Sequence, residues 1–114
     1  MPNYVPKRGD VVWLSFSPQS GHEQAGRRPG LVISPKEYNG RTGLALMCPI
    51  TSRKKGYPFE VDVSAPVAGV ILSDQLRNLD WKTRTAEKIG EVEPEILAEV
   101  VGKLLALVAD VSEV

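Results

Sequence analysis

Two stretches of the chain gather side chains suited to a phosphodiester. Glu23-Gln24-Ala25-Gly26-Arg27-Arg28-Pro29 sets a carboxylate shortly before two arginines. Paired guanidinium groups can form forked hydrogen bonds to phosphate oxygens. Pro29 and the apolar residues after it should hold Arg28 more firmly than a loop tip holds Arg27. The second stretch, Pro49-Ile50-Thr51-Ser52-Arg53-Lys54-Lys55, follows two hydroxyls with three cations that could meet successive phosphates. Each stretch, taken by itself, is described first as an ordinary solvated turn.

Other chemistry is excluded by what the chain lacks. His22 is the sole histidine, which rules out a two-histidine ribonuclease site within one chain and leaves a Ser-His-Asp triad without a backup. Cys48 is the sole cysteine, so there is neither an internal disulfide nor a cysteine zinc site. No glycine-rich phosphate loop and no carboxylate cluster at metal-ligand spacing occurs. An enzyme built from this sequence must therefore work by positioning and electrostatics, with no cofactor and no metal expected. Net charge is zero over 114 residues, but residues 1–90 carry 13 Lys/Arg against 8 Asp/Glu and residues 91–114 carry 1 against 6. A basic body is a surface that attracts polyanions. No apolar run approaches the roughly 20 residues that span a bilayer, and the N-terminus lacks a secretory apolar stretch, which predicts a cytoplasmic protein without membrane contact.

The elements that must position these residues are short. Gly9–Phe16 is rich in β-branched and aromatic residues and reads as a strand, with Trp13 assigned to the core. Residues 17–26 read as a loop, and Pro29–Ser34 as a buried strand. Pro35–Asn39 predicts one helical turn ended by Asn39-Gly40. Leu44–Ile50 is a continuous apolar run, consistent with a central strand buried on both faces. Phe59–Val63 alternates with period two; Val70–Ser73, Leu76–Trp81 and, more weakly, Ala86–Val92 complete the strands. Glu93-Pro94 then opens a helix, whose Ile96, Leu97, Val100, Val101, Leu104, Leu105 and Val108 form one apolar stripe. Many short strands and a closing helix predict a single domain over 1–114, a small β-barrel with the helix packed across it.

Set in order, the motifs resemble the MazF/PemK toxin family. They are Tyr4-Val5-Pro6, Gly9-Asp10, Glu23-Gln24-Ala25-Gly26-Arg27-Arg28-Pro29, Val32-Ile33-Ser34-Pro35, Tyr38-Asn39, Thr42-Gly43, Pro49-Ile50-Thr51-Ser52, Lys55-Gly56-Tyr57-Pro58-Phe59-Glu60-Val61 and Asp74-Gln75. The resemblance implies a mainly β, SH3-like barrel with short helices, acting as a homodimer. It implies a sequence-specific, metal-independent endoribonuclease toxin of a type II toxin–antitoxin system. Such toxins cut single-stranded RNA by attack of the ribose 2′-hydroxyl, leaving 2′,3′-cyclic phosphate and 5′-hydroxyl ends. The family's catalytic arginine falls on Arg28, its catalytic threonine on Thr51, and Glu23 on a third catalytic position. Ser52, Arg53, Lys55, Gln75 and Asn39 are expected to line the RNA channel. Trp13, Trp81 and Phe16 could stack bases. Glu23 and His22 both stand as candidates for the base that takes the 2′-hydroxyl proton. The implied partner, besides RNA, is an antitoxin whose acidic, disordered tail occupies the channel, a ligand that suits a basic body. The alternative on the same barrel is a CcdB-like toxin that poisons gyrase.

Overall fold

The computed structural model describes residues 4–16 and 26–109. Among these residues seven strands and two helices are complete, in the order β1 (Asp10–Ser15), β2 (Arg27–Val32), α1 (Lys36–Thr42), β3 (Leu44–Thr51), β4 (Glu60–Val63), β5 (Gly69–Leu72), β6 (Arg77–Asp80), β7 (Glu87–Glu91) and α2 (Pro94–Val108). The strands form one curled antiparallel sheet in the order β4-β5-β3-β2-β1-β7, with β6 joined to β3. Among the described residues β4 and β7 are not paired to each other, so the barrel is half open.

β3 organises the sheet. One edge pairs with β2; along the other, Leu44–Met47 pairs with β6 and Ile50–Thr51 with β5. The connection from β5 to β6 therefore lies where one neighbour leaves β3 and the next joins it. Alternation along the strands supplies two cores. Val11, Leu31, Cys48 and Ile50 face the first, with β4, β5 and helix α2, while Val12, Leu14, Phe16, Val32, Met47, Leu79 and Trp81 fill the second. Met47 and Cys48 are both fully buried, as expected for a central strand covered on both sides.

Three sequence expectations change. Trp13 is 38 % exposed, because on its face β1 runs past the end of the first core; Trp81 is the tryptophan that is buried. Helix α1 runs through Asn39-Gly40 and stops at Gly43, whose φ of +74° suits a left-handed cap that donates its N–H to the Asn39 carbonyl. On α2, Val100 and Leu104 are buried, whereas Leu105 and Val108, from the same stripe, lie outside the sheet and are exposed. No helix is long and apolar enough to cross a membrane.

Candidate active site

Arg27 and Arg28 are strand residues, not the end of a loop: β2 begins at Arg27, which pairs with Ser15. Alternation then sends the two guanidinium groups opposite ways. Arg27 donates to the Thr85 hydroxyl (3.1 Å), the Thr85 carbonyl (3.1 Å) and the Trp13 carbonyl (3.2 Å), and pairs with Glu87 at 3.0 Å. Arg27 is thus the firmly held arginine, reversing the sequence-based expectation. Arg28 is exposed and has no hydrogen bond or ion pair among the described residues.

Gly30 pairs with Pro49 across β2 and β3. Continuing that antiparallel register toward the strand ends brings Arg28 opposite Thr51. Thr51 accepts the backbone N–H of Arg53 on its hydroxyl oxygen at 3.2 Å. That contact uses a lone pair and leaves the hydroxyl proton available for donation. Thr51 is held in place by a close neighbour. A Cβ on Gly69 would stand 2.4 Å from the Thr51 carbonyl oxygen, so β5 can pass here only as glycine, at φ +155°.

A cleft of about 410 Å³ opens beside this pair. Arg28, Thr51, Arg53, Lys55 and Gln75 line it, as expected, together with Arg77, Glu60, Tyr57, Phe16, Leu72, Pro49 and Ile50. Gln75 enters through the β5–β6 connection, at the divergence beside β3. Ser52 lies outside this cleft, in an adjoining hollow of about 510 Å³ that shares Arg28, Ile50, Thr51 and Arg53 and adds Arg27 and Pro29. Lys54 turns away to pair with Asp62 at 2.9 Å, so two of the three loop cations serve the cleft.

Glu60 is the cleft's one carboxylate among the lining residues, and it is engaged. Its oxygens accept the N–H groups of Lys55 and Gly56, each at 3.0 Å, which fixes the loop carrying Lys55 and Tyr57. Helix α2 secures the same loop where Lys103 donates to the Pro58 carbonyl. Four cations facing one committed carboxylate make a site for an anion with several negative charges. Among the described residues no group of three or more His, Cys, Asp or Glu is placed to hold a metal ion.

Asn39 is not part of this cleft. It is fully buried, its side chain accepting from Ser34 Oγ (2.5 Å) and donating to the carbonyls of Pro6 (2.8 Å) and Ser34 (3.0 Å). With its amide satisfied inside the protein, Asn39 cannot line an RNA channel, and the sequence expectation is corrected. Trp81 is likewise withdrawn from stacking, since its Nε1 donates to the Asn39 carbonyl at 3.0 Å within the core. Glu23 and His22 lie outside the described residues. Arg77 escaped sequence reasoning altogether. Its alternation with Leu79 was the available signal, because a basic residue two positions before a core leucine shares that leucine's face.

The family described as "PemK-like, MazF-like toxin of type II toxin-antitoxin system" matches residues 7–108. The chain belongs to that family. It is 46% identical over 106 residues to the endoribonuclease toxin MazF of Escherichia coli (strain K12), covering 92% of this chain and 96% of that one. The crystal structure of MazF (Form-I) from Deinococcus radiodurans superposes with a TM-score of 0.85 at 55% identity, over 95% of this chain and 100% of the other. A MazE-MazF crystal structure (Form-III) from the same organism gives 0.85 at 55% identity, over 93% and 98%. The MazF-type fold is thus shown, and the gyrase-poisoning alternative is not favoured by these likenesses. Within this PemK/MazF chain, the open cations and the Arg28–Thr51 pairing cluster at the C-terminal end of β3.

Proposed function

We propose that the chain is an endoribonuclease toxin of a type II toxin–antitoxin system and that the cleft at Arg28 and Thr51 is its cutting site. One observation carries the assignment. Adjacent arginines on one strand are sorted so that Arg27 is consumed by the fold, while Arg28 stands open opposite a hydroxyl whose proton can be donated. Arg28 stabilises the negative charge that builds on the phosphoryl oxygens as the 2′-hydroxyl attacks, and Thr51 donates to the same group. Arg53, Lys55 and Ser52 hold neighbouring phosphates and Gln75 reads a base edge. The reaction leaves 2′,3′-cyclic phosphate and 5′-hydroxyl ends and requires no metal. Glu60 is already bonded to two amides, and Glu23 and His22 remain the two candidates to take the 2′-hydroxyl proton.

The same basic cleft suits the acidic, disordered tail of a cognate antitoxin, which imitates the RNA backbone. The working form is a cytoplasmic homodimer. Incubation with a long single-stranded RNA in EDTA tests the activity: defined cuts with 5′-hydroxyl ends are expected. Intact RNA, or cleavage that returns only with added metal, overturns the proposal. Comparing Glu23→Gln with His22→Ala in the same assay identifies the proton acceptor.

A further inference from the structure

Arg77 has no role in the chemistry above, yet it faces the same cleft. It opens β6 opposite Met47 of β3. Residues two apart on a strand share a face, so Met47, Pro49 and Thr51 lie on one side of β3, and Arg77 stands on that side too. The step from Met47 to Thr51 spans roughly 13 Å at about 3.3 Å per residue, more than one internucleotide step. The Arg77 backbone is thus on the same side of the sheet as Thr51, and its side chain enters the same cleft from the opposite end.

Its immediate surroundings are unusual for a surface arginine. The guanidinium lies over the Phe16 ring, 6.0 Å from the centroid. Phe16 is fixed from below, since a Cβ on Gly30 would come within 3.2 Å of the ring. The nearby charged group is Arg84, anchored by donation to the Ser15 carbonyl at 3.0 Å. Burial, and secondly the charge of Arg77, lower the pKa of Arg84, against a smaller opposing effect of Asp80. Among the described residues no carboxylate pairs with Arg77. A cation kept beside another cation, on an aromatic support at the cleft's far end, is relieved by an incoming anion.

We infer that Arg77 binds a phosphate of the substrate RNA flanking the scissile one, with Phe16 as the support that aims it. The inference rests on the ribonuclease reading and extends it. It makes the chain dependent on RNA that continues past the nucleotides flanking the cut, and it makes Arg77 a substrate-binding residue rather than a catalytic one.

The test uses an RNA oligonucleotide containing the chain's own cleavage site, found by sequencing 5′ ends after digestion of a long RNA. A single neutral methylphosphonate is placed at each phosphate in turn on both sides of the cut. Wild-type protein is expected to lose about tenfold in kcat/KM at one position flanking the scissile phosphate, the effect of one charge-assisted contact. Arg77→Met should show the same loss on unmodified RNA, mainly through KM, and be indifferent to methylphosphonate at that position. Arg77→Lys should recover most of the activity. With an uncleavable RNA bearing a 2′-deoxyribose at the cut, the slope of log affinity against log salt should fall by about 0.7 in Arg77→Met. Full activity of Arg77→Met, or an equal loss on every modified RNA, overturns the inference. Wild-type protein that leaves the unmodified RNA intact overturns instead the ribonuclease reading beneath it.

Discussion

The two ends of β3 carry polar residues of similar kinds and put them to opposite uses. At the N-terminal end, Ser34, Asn39 and Trp81 form a closed network. Ser34 Oγ accepts the Leu46 N–H at 2.8 Å while donating to Asn39, and Trp81 donates to the Asn39 carbonyl. At the C-terminal end, Arg28, Arg53, Lys55 and Arg77 surround a cleft with one carboxylate among its described lining residues, already bonded to the loop. The first end ties helix α1 to the sheet and leaves no group for a ligand. The second leaves its four cations without an ion pair among the described residues. A polar residue in a motif becomes structural or functional according to whether its neighbours complete its bonds, and the strongest tests of that contrast act on one end at a time.

The largest effect is expected at Arg28. Arg28→Ala should lower kcat by about 100- to 1,000-fold, the usual range for removing one donor aimed at developing charge. Thermal stability should stay within about 0.5 kcal/mol, as for other exposed substitutions. Near-normal cleavage by this variant would remove Arg28 from the chemistry. Asn39→Ala is the reverse experiment. It leaves the Ser34 hydroxyl and the Pro6 carbonyl short of a partner in the core, a loss of about 3 kcal/mol in urea melts. At a temperature where the variant is still folded, its cleavage should match wild type. Loss of activity without loss of stability would return Asn39 to the channel.

Much of this contrast can be read in the residues before any fold is known, but not all of it. The strands and the closing helix follow from periodicity, because alternation and helical spacing are local properties, whereas the choice of Arg28 and Thr51 comes from the family resemblance. The assignment of Asn39 failed because its fate depends on Pro6, 33 positions away, whose carbonyl it meets only after β1 and α1 are packed. Arg27 and Arg28 are identical side chains. Their separation required knowing that β2 starts two residues earlier than its apolar stretch, and that Thr85 and Glu87 arrive from the far end of the chain. Trp13 was misplaced for a related reason: aromatic character marks a strand, whereas how far the opposing core extends is set by other elements.

Gly69 links the open end of β3 to the packing that supports it. In Gly69→Ala the new methyl carbon would press on the Thr51 carbonyl, so either β5 or Thr51 must shift. A cost of about 2 kcal/mol is expected from overpacking. Cleavage should drop by tenfold or more, since displacements on the order of 1 Å at a catalytic group are strongly felt. Gly102→Ala is the matched control, because no atom lies near its missing Cβ and it sits within α2. It should gain about 0.5 to 1 kcal/mol from helix propensity and leave cleavage unchanged. A Gly69→Ala protein that loses stability but cuts at the wild-type rate would separate the support from the site.

The smallest expected effect distinguishes the closed parts of the molecule by pH. Burial, with a lesser push from Asp74, raises the Cys48 thiol from 9.0 to about 12. Burial also raises Tyr4 well above its ordinary 10.0, helped by its hydrogen bond to Asp10. In both cases the folded state keeps a proton that the unfolded chain releases first. Their contributions are therefore complete below about pH 9 and decline as pH climbs toward the folded values, because the unfolded chain binds fewer protons in that window. The slope for Cys48 is at most about 1.4 kcal/mol per pH unit. Urea melts between pH 7 and 11 should show stability level at first and falling from about pH 9, more steeply past 10. Cys48→Ala should be less stable at pH 7 through its small cavity, yet flatter above pH 9, so that its curve converges on the wild type. Parallel curves would show that the thiol ionises as freely in the folded protein as in the unfolded one, and that the wall between the core and the open end of β3 is less closed than its burial indicates.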